Sequence, residues 1–229
     1  MLSFDALPNE FKNDAVKKYY DIIKTKKLTC FFKRFFDFVI ALMVFIVFLP
    51  IYIVCAILIK CTSEGPVFYR QVRVGRYGKE FRIFKFRTMV VNADKIGTQI
   101  TVGDRDPRIT KVGYLLRKTR LDEFPQVLNV LCGDMCLIGA RPEVPKYVDA
   151  YTDEMMATLL LAPGISGMAS LEFKNENEML EGKEDPEKCY IEEILPIKMG
   201  INLKYIENMS LWLDIKILVR TFIAVFKHD

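Results

Sequence analysis

The longest hydrophobic feature of the chain is an uncharged run over residues 38–59. As one straight helix it would extend about 33 Å, enough to cross a bilayer. Pro50 divides the run into stretches of roughly 18 Å and 14 Å, each about half a bilayer. Proline removes a backbone donor and crowds the preceding turn, so a sharp bend is allowed there. Two elements fit: one spanning helix, or a re-entrant helix-break-helix that enters one leaflet and returns. Ahead of the run, Phe11, Ala15, Tyr19 and Ile22 fall on one helical stripe with lysines between them, which suits an interfacial helix or a docking arm. Behind it the period changes to two. Residues 67–74 and 81–86, joined by a turn at 75–78, predict a β-hairpin.

Residues 92–108 carry Gly97, Gly103 and Pro107 among polar positions and predict a long loop that closes over a ligand. A helical pattern resumes over 109–118. A second, short one carries Val127, Leu128 and Leu131, with Pro125 suited to a first helical position. From Ser210 onward, Leu211, Ile215, Leu218, Phe222 and Phe226 form an apolar stripe with Asp214, Lys216, Arg220 and Lys227 outside it. Such a helix suits a membrane interface or ordinary core packing. The sum is an α+β, membrane-associated chain: an amphipathic arm (1–32), a membrane helix (33–60) and a cytoplasmic domain (61–229).

Charge refines the membrane element. The first 34 residues hold eight Lys/Arg against four Asp/Glu, and the far flank is also basic, so the positive-inside tendency asks for both ends in the cytoplasm. Lys33, Arg34 and Asp37 mark the entrance, with Asp37 in reach of either base. The far flank is a block of Lys60, Arg70, Arg73, Arg76, Lys79, Arg82, Lys85 and Arg87 against Glu64 and Glu80. It suits anionic lipid or nucleotide phosphates, and no nucleic-acid motif accompanies it. The six cysteines make no CxxC pair, and free thiols in a reducing compartment are expected. Cys132 and Cys136 can share a helix face, but zinc is disfavoured with one histidine in the chain. That histidine, His228, is penultimate. Histidine-based nucleophilic triads are therefore excluded, and carboxylates must carry any catalysis.

The densest chemistry lies over residues 117–143, where Asp122, Glu123 and Asp134 occur with Arg117, Arg120 and Arg141. Asp122 and Glu123 stand just ahead of a predicted helix N-terminus, which favours anions. A carboxylate can attack phosphorus, and phosphoryl chemistry needs cations around the transferring group. An acid pair before a helix is more often a solvated cap. The residues alone leave both readings open.

The elements Leu121-Asp122-Glu123-Phe124-Pro125-Gln126, Gly133-Asp134-Met135 and Gly139-Ala140-Arg141-Pro142 resemble the bacterial sugar transferases known as monotopic phosphoglycosyl transferases. The resemblance runs from about Lys33 to Lys227 and includes Lys85-Phe86-Arg87-Thr88-Met89. It implies an enzyme that transfers a phospho-sugar from a UDP-sugar to polyprenyl (undecaprenyl) phosphate, releasing UMP, at the cytoplasmic face of a bacterial inner membrane. It implies Asp122 as nucleophile, forming an aspartyl phospho-sugar, and Glu123 as its acid/base or Mg2+-binding partner. Lys85, Arg117 and Arg141 would be phosphate contacts. It also favours the re-entrant form, bent at Pro50, and a homodimer is compatible with it. Two positions depart from the pattern: Ala162 replaces the arginine usual before Pro163-Gly164, and Ala140 replaces a common proline. The competing reading is a non-catalytic membrane module that binds anionic lipid through the basic hairpin. Residues 172–193, acidic and polar, suit a mobile or substrate-facing region, and the donor sugar is not assigned.

Overall fold

In the computed structural model the described residues are 1–93, 106–181 and 183–226. Helix α1 (Asp14–Thr25) begins where the Asn13 side chain accepts from the Val16 amide at 2.8 Å. Its buried face is Val16, Tyr19, Tyr20 and Ile23, packed with Phe11, Leu160 and Ile206. The expected Ala15/Ile22 stripe is thus displaced by one residue, because Phe11 belongs to a preceding 3-10 turn and does not share the helix's phase. The segment packs against the body through that face.

Helix α2 (Lys27–Thr62) runs without interruption through Pro50. By length and composition it can cross a membrane. No non-helical residue interrupts it at Pro50, although proline deprives the Ile46 carbonyl of its donor. Its buried positions are Asp37, Ala41, Tyr52, Cys55 and Ile59, with Phe45 and Phe48 partly covered. They fall three or four apart and trace one stripe. Leu42, Met43, Ile46, Val47, Ile53, Val54 and Ile57 are exposed around it.

The hairpin forms in two short ladders. Strand β1 (Phe68–Tyr69) pairs antiparallel with β4 (Lys85–Phe86), and β2 (Val72–Val74) with β3 (Glu80–Arg82), both in one continuous register. The tip is a 3-10 turn, Arg76–Gly78. The ladder is interrupted where buried Asn129 accepts from the Phe84 amide (2.8 Å) and donates to the Arg82 carbonyl (3.0 Å). The bases of the far flank do not share one face. Arg73, Lys85 and Arg87 turn inward, while Arg70, Lys79 and Arg82 are exposed.

Most of the predicted closing loop lies outside the described residues, but its two ends are tied together. Met89 bridges Ile109, and Arg108 holds both Asp106 and the Ala93 carbonyl. Helix α3 (Lys111–Lys118) starts at Thr110, whose hydroxyl accepts from the Gly113 amide at 2.9 Å. Gly113 rests directly on the backbone of Thr88, where a Cβ would lie 2.0 Å from the carbonyl oxygen. Helix α4 (Gln126–Cys132) ends at Gly133 in the left-handed region, a glycine cap. Cys132 and Cys136 therefore do not share a helix, since Cys136 opens strand β5 (Cys136–Ile138). The six cysteines are free.

After α5 (Pro145–Val148), strand β6 (Gly164–Ser166) pairs in parallel with β5. Helices α6 (Met168–Glu172), α7 (Glu176–Leu180) and α8 (Pro186–Cys189) follow, then a π-turn at Tyr190–Ile194 that leads into α9 (Leu195–Asn208). Helix α10 (Leu211–Phe226) departs from its predicted stripe. Asp214 and Ile217 are buried, whereas Trp212, Ile215, Val219 and Phe222 are exposed. Asp214 turns inward because Lys33 (2.7 Å) and the Tyr205 hydroxyl (2.6 Å) receive it there. The architecture is α+β, mainly helical, with three two-stranded sheets among the described residues.

Candidate active site

The acid pair lies in a 3-10 turn, Leu121–Glu123, between α3 and α4. Arg120, in the left-handed region at φ 57°, reverses the chain into that turn. Pro125 then provides the residue ahead of α4, so the predicted position of the pair before a helix N-terminus is found.

Glu123 is the centre of the charge array. Its Oε1 accepts from Lys85 Nζ at 2.8 Å and from Arg141 Nη2, and its Oε2 accepts from Arg141 Nη1 at 3.2 Å. Burial alone would raise this carboxyl, but Arg141 and Lys85 outweigh it and hold Glu123 well below the usual range. The same contact raises Arg141. Lys85 shifts the other way, its ammonium made less stable by burial despite Glu123.

Asp122 is treated differently. Among the described residues it accepts no hydrogen bond. Burial and the charge of Glu123 push its carboxyl up, against the pull of Lys85 and Arg117. Arg117 is fixed by donation from Nε to the Thr88 hydroxyl at 3.0 Å. The structure thus brings Lys85, Asp122, Glu123 and Arg141 together, with Arg117 beside them. Arg120 is exposed and Asp134 bonds to Asn129, away from the pair.

Local packing explains how distant segments supply this array. Lys85 projects from β4, which contacts the acid-bearing turn. Arg141 follows β5, and its Nη1 also donates to the Ile165 carbonyl of β6 at 3.3 Å. That approach needs glycine, since a Cβ on Gly164 would lie 2.2 Å from the Gly139 nitrogen. Helix α2 holds the same turn from the other side. Tyr52 donates to the Phe124 carbonyl at 3.0 Å, and Phe48 meets the Phe124 ring edge-on.

Several residues at the site receive no individual role from the sequence. Arg73, in β2, points inward and donates to the Pro142 carbonyl at 3.0 Å. Glu143, two residues beyond Arg141, is buried and accepts from the Tyr190 hydroxyl (2.7 Å) and Lys198 (3.3 Å). Lys198 also reaches Glu176 at 2.8 Å. The acidic stretch 172–193 is thereby tied to the Arg141 loop. Gln126 is fully buried, and neither of its side-chain polar atoms has a protein partner.

Among the described residues no cluster of three or more metal-ligating side chains occurs. A hard cation that keeps water and substrate oxygens needs only one or two carboxylates. A carboxylate offers about four lone-pair sites. Three at Glu123 are taken by Lys85 and Arg141, which leaves one on Oε2, and Asp122 stands alongside.

Comparison with known proteins finds related sequences. The chain is 39% identical over 194 residues to a UDP-N-acetylgalactosamine-undecaprenyl-phosphate N-acetylgalactosaminephosphotransferase of Aeromonas hydrophila, covering 83% of this chain and 43% of that protein. It is 38% identical over 200 residues to the UDP-glucose:undecaprenyl-phosphate glucose-1-phosphate transferase of Escherichia coli K12, covering 85% and 39%. A protein of the same description from Caulobacter vibrioides is 35% identical, covering 86% and 70%. The chain thus spans about two fifths of the length of the first two relatives. Residues 28–228 match the family described as Bacterial sugar transferase, and the chain belongs to that family.

Proposed function

We propose that this protein transfers a phospho-sugar from a UDP-sugar to undecaprenyl phosphate, releasing UMP and starting a lipid-linked glycan. The observation that carries the reading is the split acid pair: Glu123 held by two cations, and the Asp122 carboxylate beside it free of donors. A carboxylate without donors is the more basic and more nucleophilic of two. An Asp122 oxygen would attack the sugar-linked phosphorus, forming an O–P bond as the bond to the bridging oxygen breaks. UMP leaves with that oxygen. An oxygen of undecaprenyl phosphate then attacks the same phosphorus and frees the Asp122 carboxylate. Lys85, Arg117 and Arg141 would grip phosphate oxygens and spread the charge that develops on them. Mg2+, which Glu123 would hold through its remaining lone pair with Asp122 alongside, would offset diphosphate charge when bound.

The lipid acceptor asks for a membrane site, and α2 offers an exposed apolar face. A one-sided, re-entrant placement at the cytoplasmic face is supported by how α2 packs. Before Pro50, Arg34 donates to the Val130 and Met135 carbonyls; after it, Tyr52 reaches Phe124 and Ile59 packs with Leu116. A helix crossing the bilayer would have to carry this packed body into hydrocarbon, where its charges are costly. In this reading 33–60 is the membrane element, 1–32 an arm and 61–229 the catalytic part.

The test is UMP release from UDP-N-acetylgalactosamine, UDP-glucose and UDP-galactose by the purified chain with undecaprenyl phosphate and Mg2+. Release from at least one donor, lost on removing acceptor or metal under multiple turnover and in Asp122→Ala, is expected. No release from any UDP-sugar would favour the lipid-binding module instead.

A further inference from the structure

Arg73 is the one strand cation that turns into the charge array without an acid of its own. Its Nη1 donates to the Pro142 carbonyl at 3.0 Å and its Nη2 to Gln71 Oε1 at 2.7 Å. Its Nε is buried with no partner. A guanidinium carries five N–H groups, so the greater part of its donor capacity is uncommitted. Among the described residues no carboxylate forms an ion pair with it. The charged and titratable groups whose fields reach it include Glu143, Arg141, Tyr190, Glu123, Lys85 and Tyr147, which sets it beside the acid pair's cations. Glu143 spends its Oε1 on Tyr190 and Lys198. Burying an arginine without a paired carboxylate is costly, and such groups are normally matched by an anion. Lys85 and Arg141 already face Glu123, and Glu143, whose field acts on Arg73, shares Lys198 with Glu176 and forms no ion pair with Arg73.

We propose that Arg73 is a further anion-binding residue of the site, offering its uncommitted N–H groups to phosphate oxygens of the donor's diphosphate. The planar fork suits that ligand, whose oxygens would meet N–H groups that no carboxylate takes. The assignment of the anion to a nucleotide donor rests on the function proposed above; the anion site itself does not. Holding Pro142 by Nη1 also sets Arg73 next to Arg141 along the chain, so the two arginines would approach one diphosphate from adjoining positions.

Equilibrium binding of UDP and of inorganic pyrophosphate to the purified full chain in detergent tests this. Arg73→Gln removes the charge but keeps an amide donor for the Pro142 carbonyl. It should weaken both ligands by about tenfold or more, while the melting temperature of the ligand-free protein stays within about 3 °C of wild type. Gln71→Ala removes one present partner of Arg73 and should alter UDP affinity by less than about twofold. Affinities of Arg73→Gln within about twofold of wild type would overturn the proposal. So would weaker binding accompanied by a larger fall in melting temperature, which would make Arg73 a brace for the Arg141 loop. Wild-type binding of pyrophosphate but not UDP, lost in Arg73→Gln, would uphold the anion site and remove the nucleotide donor.

Discussion

Asp122 and Glu123 carry the same functional group on adjacent residues, and their surroundings drive them apart. Glu123, depressed by Arg141 and Lys85, contributes stability that is present above its unfolded value near 4.3 and is lost as pH falls through its folded value. Asp122, raised by burial and by Glu123, has the opposite sign: its contribution is complete below about 3.9 and is lost as pH rises through its folded value. In metal-free buffer at neutral pH, thermal unfolding should therefore find Asp122→Asn more stable than wild type. Glu123→Gln should be less stable by roughly 3 kcal/mol, because it leaves two cations facing a neutral amide. Shifts of the same sign in the two variants would contradict the geometry. Which residues would matter was partly legible, since an acid pair with nearby Arg and Lys is visible as residue types in Leu121–Gln126 and Arg141. Arg73 was not legible. Period-two spacing states that strand bases alternate, but not which of them the body covers.

At the scale of elements, α2 decides how the molecule meets the membrane. Its packed stripe continues on both sides of Pro50, from Asp37 to Ile59. Single cysteines introduced as Asp5→Cys and Lys204→Cys into a cysteine-free background should both resist impermeant thiol reagents in intact cells. Labelling at Asp5→Cys alone would establish a span and make Pro50 an ordinary helix residue. The uncharged run revealed the helix, and proline revealed where its ladder is weakest, but a break does not follow from proline when tertiary contacts hold both flanks. Tyr52 to Phe124 and Phe48 to the same residue are such contacts, and they join positions more than seventy residues apart. The hairpin was legible from its alternation and its glycine turn. Its interruption was not, because it depends on the Asn129 side chain from α4. Helix α10 misled for a related reason: it is apolar on both faces, and the buried one is chosen by where Lys33 and Tyr205 receive Asp214.

For the whole molecule, four separated segments meet at one turn. Lys85 comes from the hairpin, Arg117 from α3, Arg141 from the loop after β5, and α2 supports the turn from its apolar side. The array joins phosphate-binding cations to a surface that a lipid acceptor can reach. In this account the fold exists to present Asp122 to a phosphorus atom, and a covalent intermediate is its central claim. Intact-protein mass after brief incubation with each UDP-sugar and Mg2+, without undecaprenyl phosphate, tests that claim most directly. The account predicts a phospho-sugar adduct that maps to Asp122, forms as UMP is released, and is absent in Asp122→Asn. An adduct on Glu123, or sequential kinetics with UMP released only when acceptor is present and no adduct at all, would contradict it.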